Sequence, residues 1–200
     1  MYSTQHKHLI LASASPRRKQ LLSQLGLPFT VQASDTDETI SEFLRPAPLV
    51  ETLAQRKAQS IANRIMNTDG DSIVIGADTV VVLDGNILGK PQDNQDSKRM
   101  LTALQGREHQ VYSGIALIDS ESGQVLAKHR MTTVNMKQLS DRQIANYIAT
   151  KEPADKAGAY AIQGIGATLI ESIDGDYFNV VGLSLSLLSD MLSEMGVDIL

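Results

Sequence analysis

The run Ser72-Ile73-Val74-Ile75-Gly76-Ala77-Asp78-Thr79-Val80-Val81-Val82-Leu83 decides the fold class. It is almost wholly apolar and β-branched, which reads as a strand, and only Gly76 and Asp78 interrupt it. Asp84-Gly85-Asn86 is a turn signal, and Ile87-Leu88 begins a return strand. Upstream, Leu9 to Ala12 reads as a buried strand. Ser15-Pro16 opens a helix, with serine as N-cap and proline at the first helical position. Leu21, Leu22 and Leu25 give that helix an apolar face, and Gly26 stops it. Phe29 to Ala33 is a second strand. Pro46 and Pro48 lead into a helix to about Met66, with Val50, Leu53, Ala54, Ala58, Ile61 and Ile65 as its apolar stripe.

Downstream, a short helix is predicted from about Gln95 to Leu104, stopped by Gly106. Val111 to Asp119 and Val125 to Met136 form a long hairpin around Ser122-Gly123. Ser140 with Gln143 is a capping box that opens a helix to about Ala149. Ala167 to Ile173, the turn Asp174-Gly175-Asp176, and Tyr177 to Val181 read as a further hairpin, and a last helix runs from about Ser184 to Met195. Strands alternate with helices, but hairpins exclude a purely parallel sheet. The fold class is therefore α/β with a mixed sheet, the middle hairpins forming a lobe of their own.

Two hundred residues suffice for one sizeable core. A hydrophobic fraction of 42% and a charged fraction of 20% describe a globular protein, not a disordered one. The net charge of −5 and an aromatic content of 4% argue against a nucleic-acid binder. Phosphate binding must then come from a few local cations. Without cysteine there are no disulfides, thiol nucleophiles or cysteine–zinc sites. The apolar run Leu9–Ala12 is too short for a signal segment or a membrane span. A cytoplasmic protein is expected.

Six segments carry candidate chemistry. Ser13-Ala14-Ser15-Pro16-Arg17-Arg18-Lys19 puts three cations into the first turn of a helix, where the dipole disfavours them by roughly 0.3–1 kcal/mol each. An anion at the helix N-terminus would account for them, bound by free amides, a serine hydroxyl and guanidinium forks. The alternative is a solvated basic patch. Lys57 lies four residues from both Leu53 and Ile61, on the apolar stripe, so it either snorkels to the core edge or aims its ammonium at an anion. Asp78 is a carboxylate inside a strand, and burying it unpaired costs several kcal/mol. A metal ion, a cationic partner or a catalytic task would each explain it, and so would a structural pairing with a lysine. Asp35-Thr36-Asp37-Glu38 is an acidic loop; Glu38 and Asp78 sharing a magnesium-type cation is one option, an ordinary solvated loop the other. Gly89-Lys90-Pro91, where a surface lysine is the default, and the segment from Lys156 to Gly164 complete the set, with Gln163 able to read a base edge as donor and acceptor at once and a glycine-rich turn as the alternative. Walker A and nucleophile-elbow sequences are absent, and Gly164-Ile165-Gly166 is not a complete dinucleotide fingerprint.

Taken in order, Leu-Ala-Ser-Ala-Ser-Pro-Arg-Arg at 11–18, Asp37-Glu38, Leu53-Ala54 through Lys57-Ala58, Gly76-Ala77-Asp78-Thr79, Gly89-Lys90-Pro91, Lys156-Ala157-Gly158-Ala159-Tyr160, Ile162-Gln163-Gly164 and Val180-Val181-Gly182-Leu183 resemble the Maf family of nucleotide pyrophosphatases, also called septum-formation-inhibitor-like proteins. Eight pieces in family order span nearly the whole chain. The resemblance implies a strongly twisted mixed sheet flanked by helices, two lobes around a cleft, and a homodimer. It also implies hydrolysis of a nucleoside triphosphate to monophosphate and pyrophosphate with Mg2+ or Mn2+. Asp78 falls at the general-base position; Ser13, Arg18, Lys57 and Lys90 at positions for phosphate; Glu38 and Asp78 at positions for metal. Arg17, Thr79 and Gln163 match the branch acting on dTTP and UTP, whereas the 7-methyl-GTP branch carries tryptophan, glutamine and glutamate there. Ala14 replaces the usual glycine or threonine, and Ser184 replaces a proline. The rival readings are the same reaction on another base, and a nucleotide-binding regulator of cell division with little turnover.

Overall fold

A computed structural model describes residues 7–36, 44–65 and 71–200 of the chain. Its strands are β1 (His8–Leu11), β2 (Phe29–Val31), β3 (Ser72–Leu83), β4 (Asn86–Leu88), β5 (Glu108–Asp119), β6 (Val125–Met136) and β7 (Ile170–Asp174). Its helices are α1 (Pro16–Ser23), α2 (Pro46–Ile65), α3 (Asn94–Leu104), α4 (Asp141–Ala149), α5 (Tyr177–Val181) and α6 (Leu185–Glu194). The strands form one mixed sheet in the order β2-β1-β3-β5-β6-β7, with β4 paired to β3. β1 runs parallel to both β2 and β3, while β3–β4 and β6–β7 are antiparallel. The chain packs as two compact units. One joins the described residues up to Asp78 with Ser113–Arg130 and Gly182–Leu200; the other joins Thr79–Tyr112 with Met131–Val181.

In the first unit α2 presses its backbone onto the sheet at two glycines. A Cβ on Gly76 would lie 2.1 Å from the Ala54 carbonyl oxygen and 2.8 Å from the Ala58 nitrogen, and one on Gly114 would lie 2.3 Å from the Val50 oxygen. The glycine within the strand thus admits a helix backbone, as such glycines do where another chain segment approaches closely. Around this contact Ile10, Ala54, Ala58, Ile61, Val74 and Ala116 form a fully buried cluster. Serine at 184 supplies the cap of α6, its Oγ accepting from the Leu187 amide at 3.3 Å.

In the second unit Leu101, Leu104, Val111, Val134, Ile144, Tyr147 and Tyr160 belong to one core cluster. The predicted capping box is formed, with Ser140 Oγ and the Gln143 side chain bonding reciprocally to backbone amides. His109 is buried in this unit, its Nε2 2.7 Å from the Tyr160 hydroxyl and its ring edge-on to the tyrosine. Its Nδ1 has no hydrogen-bond partner. Burial pushes the imidazole down to about 4.

One sequence expectation fails. Tyr177–Val181 is not the return strand of a hairpin but helix α5. Asp176 Oδ1 accepts from the Phe178 amide at 2.8 Å, opening a helical turn, and Asn179 Nδ2 donates to the Val111 carbonyl and to Thr132 Oγ1 at 3.0 Å each. β7 pairs instead with β6, Ile173 opposite Val134, and begins only at Ile170 because Gly164–Leu169 is a 3₁₀ turn.

Two outcomes follow. Gly76→Ala has to push a methyl into the α2 backbone, and should lower stability by about 3 kcal/mol, read from the urea midpoint. For His109, unfolding frees an imidazole that protonates near 6.5 instead of about 4. Unfolding therefore takes up a proton in that window, so stability should fall as pH drops from about 6.5 to about 4, by ~3 kcal/mol in full. A pH series of urea midpoints should show this loss in the parent protein and a flatter profile in His109→Gln.

Candidate active site

Parallel pairing of β1 with β3 places Leu11 opposite Ile75, and the Ala12 amide extends the ladder by donating to the Ile75 carbonyl at 2.8 Å. The chain leaves β1 at the carboxyl end and turns directly into α1, three residues of β3 short of Asp78. Carboxyl edges of parallel strands are where α/β proteins commonly bind ligands.

The turn is organised by its serines. Ser15 is the N-cap of α1, with extended φ/ψ, and its Oγ accepts from the Arg18 amide at 3.5 Å. The Ser13 Oγ, itself buried, accepts from the Ser15 amide at 3.2 Å and from Arg18 Nη1 at 3.4 Å. Arg18 Nε donates to the Gly182 carbonyl at 2.9 Å. Arg18 is half-buried and fixed at two points. Arg17 is half-buried and Lys19 exposed. No acidic residue stands in the first turn of α1 to neutralise its positive end.

Lys57 is buried with the stripe of α2, and its Nζ lies 2.6 Å from Asp78 Oδ1. The lysine is 9% exposed and the aspartate 8%, so both ions are largely out of water. The cationic partner that Asp78 required is therefore Lys57. The close seat of α2 at Gly76 brings the two within reach. An ammonium offers three donors, so a bond to this carboxylate and one to a phosphate oxygen are compatible.

Ser13 and Arg18 are bonded to each other, Lys57 and Asp78 to each other, and all four belong to the first unit. Thr79 follows Asp78 on β3 and is half-buried. Lys90 and Gln163 belong to the second unit. Lys90 is exposed just beyond β4, where the Gly89 carbonyl accepts from the Gly158 amide at 3.0 Å. Gln163 is half-buried and directly precedes the Gly164–Leu169 turn. Glu38 lies outside the described residues. The sequence did not point to Gly182 as an anchor of Arg18, nor to Tyr147 and Glu152 beside Gln163, because backbone acceptors and contacts between distant segments leave no local signature.

The profile of the Maf-like protein family matches residues 8–195. A dTTP/UTP pyrophosphatase from Desulforamulus reducens is 50% identical over 191 residues, covering 96% of this chain and 98% of that protein. One from Pelotomaculum thermopropionicum is 48% identical over 194 residues, 97% of this chain and 100% of its own. Among solved structures, the Staphylococcus aureus Ham1 protein superposes with a TM-score of 0.50 at 16% identity, over 82% of this chain and 80% of that one, a likeness of fold.

Removing the ammonium from the buried pair should be costly. Lys57→Met leaves Asp78 without its cation and should destabilise by about 3 kcal/mol, while Lys57→Met with Asp78→Asn should recover part of that loss. Chemical denaturation of the two singles and the double measures it; strictly additive losses would show that the pair is not coupled.

Proposed function

This chain belongs to the Maf-like protein family, and on that premise we propose that it is a nucleoside triphosphate pyrophosphatase hydrolysing dTTP and UTP to the monophosphate and pyrophosphate. The observation that carries the reading is a buried lysine–aspartate pair on a strand paired with the one that leads into the basic N-terminus of α1, in a chain about half identical along its length to dTTP/UTP pyrophosphatases. In this reading Ser13, Arg18, Lys57 and Lys90 bind the phosphates. Asp78 accepts a proton from water as its oxygen attacks the α-phosphorus, and the bond to the bridging oxygen breaks to release pyrophosphate. Positioning and charge stabilisation do most of the work in such a reaction. Arg17, Thr79 and Gln163 select the base.

The donor chemistry fits a divalent cation. Asp78 presents carboxylate oxygen at the proposed phosphate site, and a magnesium-type ion takes one or two carboxylates together with substrate phosphates. Asp78 and Glu38 would hold Mg2+ or Mn2+, whose charge stabilises the leaving pyrophosphate. The family resemblance further supports a homodimer, and the lack of cysteine and of a long apolar run in the sequence supports a cytoplasmic location. No helix among the described residues is long and apolar enough to cross a membrane.

Pyrophosphate release from dTTP, UTP, CTP, GTP and 7-methyl-GTP in the presence of magnesium tests the reading. Turnover should be greatest with dTTP and UTP, and Asp78→Asn should lower it by roughly 10²–10⁴-fold. Near-normal turnover in Asp78→Asn removes the proton-acceptor role. Nucleotide binding without turnover of any of the five would sink the enzymatic reading.

A further inference from the structure

Gln163 sits in a segment whose backbone is gripped on both sides by two side chains without a role so far. Tyr147, in the last turn of α4, is buried. Its hydroxyl accepts from the Ala161 amide at 3.1 Å, two residues before Gln163, and donates to Glu152 Oε1 at 2.9 Å. The same Glu152 oxygen accepts from the Gly166 amide at 2.9 Å, and its Oε2 from the Ile165 amide at 3.1 Å. A carboxylate is an acceptor with capacity for all three bonds. Burial by itself would raise the Glu152 carboxyl, but the Gly166 amide, the Tyr147 hydroxyl, the Ile165 amide and the charge of Lys156 together outweigh it and lower the group. Burial and the bond to Glu152 push the Tyr147 phenol up, so it stays a donor.

The two glycines after Gln163 belong to the same device. Gly164 has φ +68°, and a Cβ there would lie 2.6 Å from Glu152 Oε2. A Cβ on Gly166 would lie 2.4 Å from the Ala161 oxygen and 2.6 Å from the Tyr147 hydroxyl. Gly164-Ile165-Gly166 therefore lets the backbone close around a tyrosine and a carboxylate, and is no remnant of a dinucleotide fingerprint.

We propose that Tyr147 and Glu152 are positioning residues for base selection, clamping the backbone of residues 161–166 so that the Gln163 side chain projects toward the base from one fixed point. The proposal rests on Gln163 being the residue that reads the base. Thymine and uracil carry a carbonyl where cytosine carries an amino group, so the two differ by exchange of acceptor for donor. A side-chain amide is both, and discriminates only from a backbone position that lets one of its two ends meet the base edge in preference to the other.

The test is the ratio of kcat/KM for dTTP to that for CTP in the full-length protein, in Tyr147→Phe, Glu152→Gln, Gln163→Ala and the two doubles with Gln163→Ala. Each clamp variant alone should lower the ratio by about tenfold, mainly through KM for dTTP. Each double should show no lower ratio than Gln163→Ala alone, because the clamp acts only through that side chain. A clamp variant that slows both substrates equally, or whose loss multiplies with that of Gln163→Ala, overturns the proposal and leaves the Gln163 reading standing. An unchanged ratio in Gln163→Ala overturns the reading of Gln163, and the proposal with it. If Glu152→Gln does not fold, Tyr147→Phe, which keeps the ring in the core, decides alone.

Discussion

The backbone of α2 lies on β3 at Gly76 with no room for a methyl group, and most of the first unit's organisation depends on that contact. Because the helix touches through its backbone at Ala54 and Ala58, its rotation about its own axis is fixed. Lys57 is then directed at the sheet, and the residue it meets is Asp78, two positions beyond the glycine. Gly114 repeats the arrangement on β5 against Val50. Two glycines in neighbouring strands thus seat one helix, and the helix delivers one ammonium to one carboxylate. Buried ion pairs are poor sources of net stability, so this one is better understood as geometry retained for use.

The second unit applies the same economy to its loops. Gly158, with φ +69°, packs against Val81, and its amide holds the Gly89 carbonyl beside Lys90. Ala159 follows at φ +60°, a left-handed conformation that costs a non-glycine residue energy, and it is fully buried. Tyr160 is anchored through its hydroxyl on His109. Strained backbone of this kind persists only where its surroundings over-determine it, and here those surroundings connect the segment bearing Lys90 to the segment bearing Gln163.

Local features were legible in the sequence because their causes are local. The Ser15 cap, the Ser140–Gln143 box and the β-branched run of β3 each act over a few residues. Asp78 was conspicuous as a carboxylate inside that run, but its partner, 21 residues away, was not; Lys57 alone could equally have snorkelled. Tyr177–Val181 misled because aromatic and β-branched residues favour strands. Asn179, bonded to the main chain of Val111 and to Thr132, decides otherwise through contacts more than forty residues distant. The Gln163 clamp was hidden for the same reason, since a tyrosine in a helix and a glutamate before a proline carry no mark of what they hold.

The bond from Arg18 to the Gly182 carbonyl joins residues 164 positions apart. A ribosome releases the arginine early and the carbonyl late, so a partly synthesised chain carries the basic turn without its anchor. Native contacts of such long range form slowly, after much intervening chain has been ordered. The turn after β1 therefore cannot gain this anchor before Gly182 has been synthesised. That turn matures only when the segment leading into α6 has emerged and docked.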